Sequence, residues 1–203
     1  MTDSPKLLKA RRKHSQWFAL ALVAMLLVSE PWLPGNHLLR ALMLWVGYAL
    51  VAVGAMGRVY CSAFIGGRKN DEVVRGGPFS VVRNPLYVFS FLATVGIGLQ
   101  SGMVVMAVLL PLAFAIYYPA VVAKEEAFLA HKFGEPYLQY MREVPRWKPN
   151  LALWQEPEHV DAMPKFIRRT MMDALIFFLP LPAFALVHAL QVYHVLPVWL
   201  ILP

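Results

Sequence analysis

The chain has 203 residues, 59% of them hydrophobic and only 15% charged, with a mean hydropathy of +0.53. Soluble domains carry roughly 45–50% apolar and about 25% charged residues, so this composition excludes a soluble globular enzyme and a disordered tail. The single cysteine, Cys61, excludes an intramolecular disulfide scaffold.

Read in chain order, a basic arm (Lys6, Lys9, Arg11, Arg12, Lys13) precedes an apolar run at 17–28. No small-residue cleavage site follows Val28, so the run reads as an uncleaved anchor. Extended to Leu33, with Trp17 and Trp32 as interfacial anchors, it predicts a first membrane span. A second span is expected at 38–57, with Arg40 near its end. Residues 86–99 and 103–123 are apolar and are separated by Gln100-Ser101-Gly102, which predicts a tight helical hairpin. A last span is expected at 171–190, interrupted by Pro180 and Pro182; residues 195–203 are too short to cross alone and read as an interfacial stub or half of a partial hairpin. The fold class expected is therefore an all-α polytopic membrane protein of about five helices. It divides into an arm and first span (1–37), a core (38–150), and a linker with a C-terminal membrane helix (151–203).

The net charge of +7 arises from 19 Lys and Arg against 12 Asp and Glu. Eighteen of the 19 basic residues fall in the N-terminal arm, the 58–85 loop and the 124–170 segment, which span counting puts on one face. The positive-inside rule makes that face cytoplasmic and the compartment the inner membrane. Lys165, Arg168 and Arg169 read as a patch for anionic lipid, and no nucleic-acid partner is expected. His188 and His194, six residues apart, make a poor metal pair, and no metal is expected.

Two segments on this face carry chemistry. In the first, Gly76-Gly77-Pro78 is a turn where backbone can approach a ligand closely. Arg83-Asn84-Pro85 follows at the mouth of the third span, with Pro85 in the first helical turn and Asn84 as N-cap. A helix N-terminus beside an Arg suits a carboxylate or phosphate. In the second, Glu125 and Glu126 emerge where the fourth span leaves the membrane, a costly place for acids unless they face a cavity. Phe128, Leu129, Phe133, Tyr137 and Tyr140 then recur at helical spacing, which predicts an amphipathic helix on the bilayer with its aromatics toward lipid.

The pattern Gly-Pro-Phe-x-x-x-Arg-Asn-Pro-x-Tyr at 77–87, followed by Glu-Glu-x-x-Leu-x-x-x-Phe-Gly-x-x-Tyr-x-x-Tyr-x-x-x-Val-Pro-Arg at 125–146, resembles the isoprenylcysteine carboxyl methyltransferase family. That family belongs to a wider group that includes phospholipid N-methyltransferases, and the similarity covers roughly residues 40–150. Gly96-Ile97-Gly98 also resembles a Gly-x-Gly of the phospholipid branch, but in a membrane helix it reads as close helix packing.

The resemblance implies a methyltransferase that uses S-adenosyl-L-methionine and takes a lipid-like or small apolar acceptor (carboxylate, amine or thiol) from the bilayer. Carried over by position, the cofactor would touch Asp71, Glu72, Val73, Val74, Phe79, Asn84, Pro85, Leu86, Tyr87 and Glu125, with Gly77 at the turn. Its carboxylate suits Arg83 or the Pro85 helix start, its amine suits Glu125 or Glu126, and its adenine needs a wall such as Phe79 or Tyr87. An amine acceptor would need a base, for which Glu126 or Tyr137 stand as candidates.

The sequence departs from the family at two places. The usual Arg-His-Pro is Arg-Asn-Pro, and the Arg that eukaryotic members carry one turn before the paired glutamates is Val121. Arg142 or Arg146 would have to supply the missing guanidinium. Two rival readings remain. One is an NADPH-dependent reductase of the sterol-reductase type, using Arg68, Lys69, Arg75 and Arg83 for a 2′-phosphate; the other is a non-catalytic membrane scaffold or carrier.

Overall fold

A computed structural model describes residues 24–25, 27–31, 37–68 and 71–202. The basic arm and most of the expected first span lie outside the described residues. A three-residue strand, β1 (Ser29–Pro31), leads to the long helix α1 (His37–Ile65). A four-residue helix α2 (Pro78–Val81), the apolar helix α3 (Pro85–Gln100) and the 30-residue α4 (Val104–Phe133) follow. A short amphipathic helix α5 (Glu135–Glu143) precedes an irregular strap over 144–163. The chain then forms α6 (Pro164–Leu175), a 3-10 turn (Ile176–Phe178), α7 (Pro180–Val192) and β2 (Leu200–Leu202).

Three helical stretches are long and apolar enough to span a membrane: 38–65, 104–133 and 164–192. The shorter α3 joins them, and the protein is a polytopic, mostly helical membrane protein. At 1.5 Å per residue α3 is about 24 Å long, and α4 about 45 Å. The final turns of α4 therefore stand outside a hydrocarbon layer of about 30 Å, and they carry Glu125 and Glu126.

Two expected boundaries move. The second span does not stop at Gly57 but continues to Ile65, because Val59–Ile65 offers no breaker before Gly66-Gly67, where Gly67 turns the chain at φ 84°. Arg58, assigned to a loop by charge counting, is thus part of the membrane helix. Likewise α4 runs ten residues past Ala123 until Gly134 ends it at φ 63°. The last span forms a rod from 164 to 192. Its 3-10 turn lies just before Pro180, whose missing N–H and ring exclude a regular bond to Ile176. Beyond it the chain turns at His194 (φ 57°) and returns as β2, paired in parallel with β1. Among the described residues, these two short strands are the exception to the all-α expectation.

Small residues join α1 to α3. A Cβ on Gly96 would lie 2.6 Å from the Gly47 carbonyl, and one on Gly54 would lie 2.6 Å from the Phe89 carbonyl and 2.8 Å from the Ala93 methyl. Backbones approach this closely only where both surfaces lack side chains, which is how membrane helices gain dispersion contacts without a hydrophobic driving force. Gly98 meets Met106 and Ala107 of α4 in the same way, so Gly96-Ile97-Gly98 serves close packing on both sides.

Candidate active site

A cavity of about 330 Å³ opens where α1 ends, α3 begins and α4 leaves the apolar layer. Its walls include Glu72, Val73, Val74 and Phe79 from the connecting segment, and Arg83 and Asn84 at the mouth of α3. Pro85, Leu86 and Tyr87 of α3 line it as well, together with Glu125 of α4 and Tyr137 of α5. The hairpin of α3 and α4 explains the convergence, since a tight turn at its far end brings residues about 40 positions apart to the same end. The loop from Gly77 to Asn84 is held in place by the strap. Gly77 N donates to the Gln155 carbonyl (2.8 Å), Arg83 N to Pro145 (2.9 Å) and Asn150 N to Val81 (2.9 Å), while the Tyr140 hydroxyl donates to the Phe79 carbonyl (2.7 Å). Gly77 has φ 58°, and a Cβ there would lie 2.3 Å from the Phe64 ring, so two constraints favour glycine.

The Tyr87 hydroxyl donates to Glu125 Oε2 at 3.0 Å across the α3–α4 gap, and its ring lies 5.4 Å from that of Tyr118. Asn84 stands at the N-cap position, but its side chain makes no cap hydrogen bond. Its Nδ2 instead donates to Glu126 Oε1 at 3.0 Å, while its backbone carbonyl accepts from the Tyr87 and Val88 amides at 3.1 and 3.2 Å. This corrects the expected capping role.

Glu126 is 1% exposed and does not line the cavity. Its Oε2 accepts from Arg146 Nε (2.8 Å) and Nη2 (2.6 Å), and Arg83 Nε lies 3.6 Å from Oε1. These partners make Glu126 a brace joining α4, the Arg83-Asn84 turn and the strap; with its oxygens occupied it is badly placed to take a proton. Arg146 is committed to that brace, and Arg142 pairs with Glu135 on the exposed side of α5. Neither lines the cavity, so the missing guanidinium is not supplied by them. Asp71 is exposed and outside the lining, and Gly77 is buried beneath Phe64.

Tyr137 and Tyr140 are 5% and 3% exposed and pack on Val73, Leu129 and Phe133. The face of α5 expected toward lipid is instead turned inward, because the long α4 stands clear of the membrane and offers its own apolar side as a partner; Phe128 alone of the expected aromatics is well exposed. Burial, with the charge of Glu126 nearby, pushes the Tyr137 phenol up to about 12. Burial beside Tyr137 raises Tyr140 as well. Both are neutral hydroxyls in the physiological range, which argues against Tyr137 as a phenolate base.

Sequence reasoning missed Arg58, Ser90 and Tyr118, which also line the cavity. The signal for Arg58 was a lone cation followed by seven residues without a helix breaker. An apolar groove of about 350 Å³ adjoins on the α3–α4 side, walled by Phe91, Phe114, Pro119 and Trp147 and sharing Tyr87 and Tyr118 with the cavity. Of the four cations considered for a 2′-phosphate, Arg68 pairs with Glu72 and Asp161, Arg75 with Glu143 and Arg83 with Glu126; Lys69 lies outside the described residues. Among the described residues no group of three or more His, Cys, Asp or Glu side chains is placed to hold a metal ion.

The phospholipid methyltransferase family profile matches residues 35–136, which contain both α3 and the paired glutamates. A nickel-cobalt-cadmium resistance protein of Alcaligenes xylosoxydans xylosoxydans is 33% identical over 159 residues, 78% of this chain and 73% of that protein. A cobalt-zinc-cadmium resistance protein of Cupriavidus metallidurans is 35% identical over 136 residues, 67% of this chain and 62% of its own length. The protein-S-isoprenylcysteine O-methyltransferase of Schizosaccharomyces pombe is 32% identical over 81 residues, 40% of this chain and 34% of the enzyme. No solved structure matches. With the profile covering half of the chain and both motif segments meeting at one cavity, the chain belongs to the phospholipid methyltransferase family of membrane proteins.

Proposed function

We propose that this protein is an S-adenosylmethionine-dependent methyltransferase of the cytoplasmic membrane that modifies a lipid-like acceptor. The observation that carries the reading is the convergence of Asn84–Tyr87 and Glu125 on one cavity in a chain of this family. The donor set fits the cofactor. A carboxylate buttressed by Tyr87 suits its ammonium or sulfonium charge, Arg83 and the positive end of α3 suit its carboxylate, and Phe79, Tyr137 and Tyr140 offer flat walls for adenine. When bound, the cofactor supplies a methyl group on a sulfonium centre. The protein's own part is alignment and exclusion of water by the tyrosine-rich walls. Tyr137, neutral well above physiological pH, is suited to donate a hydrogen bond to a ligand rather than to take a proton. The positive-inside rule supports a cytoplasmic position for this end of the bundle.

The test is binding of S-adenosylhomocysteine to the purified protein in detergent. Saturable binding, weakened in Glu125→Ala, is expected; its absence in the wild type refutes the reading. A second reading, carried by the names of the two bacterial relatives, is that the methylation serves resistance to divalent metal ions. Growth of a deletion strain in cobalt or cadmium, with and without a Glu125→Ala copy, tests it.

A further inference from the structure

Arg58 is the cation for which neither the family motifs nor the brace around Glu126 gives a purpose. It lies seven residues before the end of α1, about 10 Å back into the apolar part of the bundle at 1.5 Å per residue. Ser90, its partner on α3, is similarly about 7.5 Å inside the start of that helix. Arg58 Nη1 donates to Ser90 Oγ, and the Ser90 hydroxyl in turn donates to the Leu86 carbonyl at 2.7 Å. The guanidinium carbon sits 5.5 Å from the centre of the Phe177 ring, and Nε is buried with no hydrogen-bond partner. Among the described residues no carboxylate forms an ion pair with Arg58, whereas Arg68, Arg75, Arg83, Arg142 and Arg146 each have one.

A cation in a membrane helix is costly and is normally paired or turned to a cavity. Arg58 lines the cavity, at the level where Tyr118 and Tyr87 separate it from the apolar groove between α3 and α4. A guanidinium held at one end by Ser90 and backed by an aromatic face presents its remaining donors as a fork suited to two oxygens of one anion. We propose that Arg58 is the specificity-determining residue for the acceptor, receiving a carboxylate or phosphate oxyanion whose apolar tail lies in the adjoining groove. The proposal rests on the methyltransferase reading for the word acceptor, but the lipid site itself does not depend on it. Cofactor carboxylate is the competing source of an oxyanion; the depth of Arg58, below Arg83 and the positive end of α3, favours the lipid.

The experiment uses the full chain in nanodiscs of neutral lipid, with dodecanoate, dodecyl phosphate, dodecanol and dodecylamine as probes and native mass spectrometry as the readout. Wild type is expected to bind at least one of the two oxyanions about tenfold or more tighter than the alcohol or amine, as a charge-assisted pair implies. The tighter of the two identifies the head group. Arg58→Gln removes the preference, and S-adenosylhomocysteine binding falls by a smaller factor than oxyanion binding does. Should that variant not fold, Arg58→Lys carries the test. It keeps the charge without the fork and lowers the preference about threefold or more; an unchanged ratio overturns the proposal. Equal binding of alcohol and oxyanions by wild type, or loss of S-adenosylhomocysteine rather than lipid in Arg58→Gln, also overturns it. Oxyanion preference in a protein that binds no S-adenosylhomocysteine would leave the lipid site standing and remove the methyltransferase reading.

Discussion

Replacing Glu126 by Gln takes one charge out of a carboxylate that is 1% exposed while preserving its shape. Four contacts change: two from Arg146 at 2.8 and 2.6 Å, one from Asn84 at 3.0 Å, and Arg83 at 3.6 Å. The two arginines are not equally vulnerable. Arg146, with its side chain 39% exposed, can rehydrate, but Arg83, at 10%, is left near a neutral amide in a dry site. Breaking a buried pair by removing one charge costs about 3–5 kcal/mol; because one partner recovers water, the lower end, about 3 kcal/mol, applies. For a chain of this size each kcal/mol lowers the melting temperature by about 2–4 °C, so a drop of about 6–12 °C is expected. The assay is thermal unfolding in detergent, with Arg146→Met and the double variant completing a cycle. Strong coupling is expected, the double variant melting no more than about 2 °C below Glu126→Gln. A single variant that melts within about 2 °C of wild type, with S-adenosylhomocysteine binding intact, would refute the brace.

Arg142→Ala, by contrast, breaks an exposed pair and should leave both melting temperature and cofactor binding within error. Tyr87→Phe deletes the hydroxyl that donates to Glu125 and is expected to weaken S-adenosylhomocysteine binding about tenfold, read by calorimetry. For Tyr137 the folded phenol titrates near 12 against an ordinary value of 10, so folding favours the neutral form; its contribution to stability is complete below pH 10 and is lost as pH rises toward 12. Phenolate absorbance should show Tyr137 and Tyr140 ionising late, above the ordinary phenol range. Gly96→Ala drives a methyl into the Gly47 carbonyl and should cost about 1–3 kcal/mol by separating α1 from α3, measured as denaturant or thermal stability. A cysteine placed at Lys148 should react with an impermeant maleimide only when the cytoplasmic face is opened, while buried Cys61 stays silent.

The hairpin was legible because Gln100-Ser101-Gly102 interrupts two apolar runs, and from the hairpin the meeting of Asn84–Tyr87 with Glu125 follows by geometry alone. Arg58 was not legible in the same way. Counting basic residues treats every Arg near a span boundary as a marker of sidedness, and only the continuation of α1 to Ile65 shows that this one is inside. The direction of Tyr137 and Tyr140 was misread because periodicity identifies an apolar face without naming what covers it. Glu126 looked chemically available beside Glu125, yet one position along a helix turns a side chain by about 100° and sends it to Arg146 instead of the cavity. The strap over 144–163 has no period at all, and its hold on the Gly77–Asn84 loop through backbone groups leaves no trace in side-chain identity.

The parallel pairing of Ser29–Pro31 with Leu200–Leu202 has a consequence for biogenesis. The first of these segments leaves the ribosome about 170 residues ahead of the second. Throughout most of synthesis the early strand therefore waits without its partner, and Gln191, whose amide also bonds the Leu27 and Ser29 carbonyls, arrives just as late. Closure of the bundle at that end therefore waits until Leu200–Leu202 have been made.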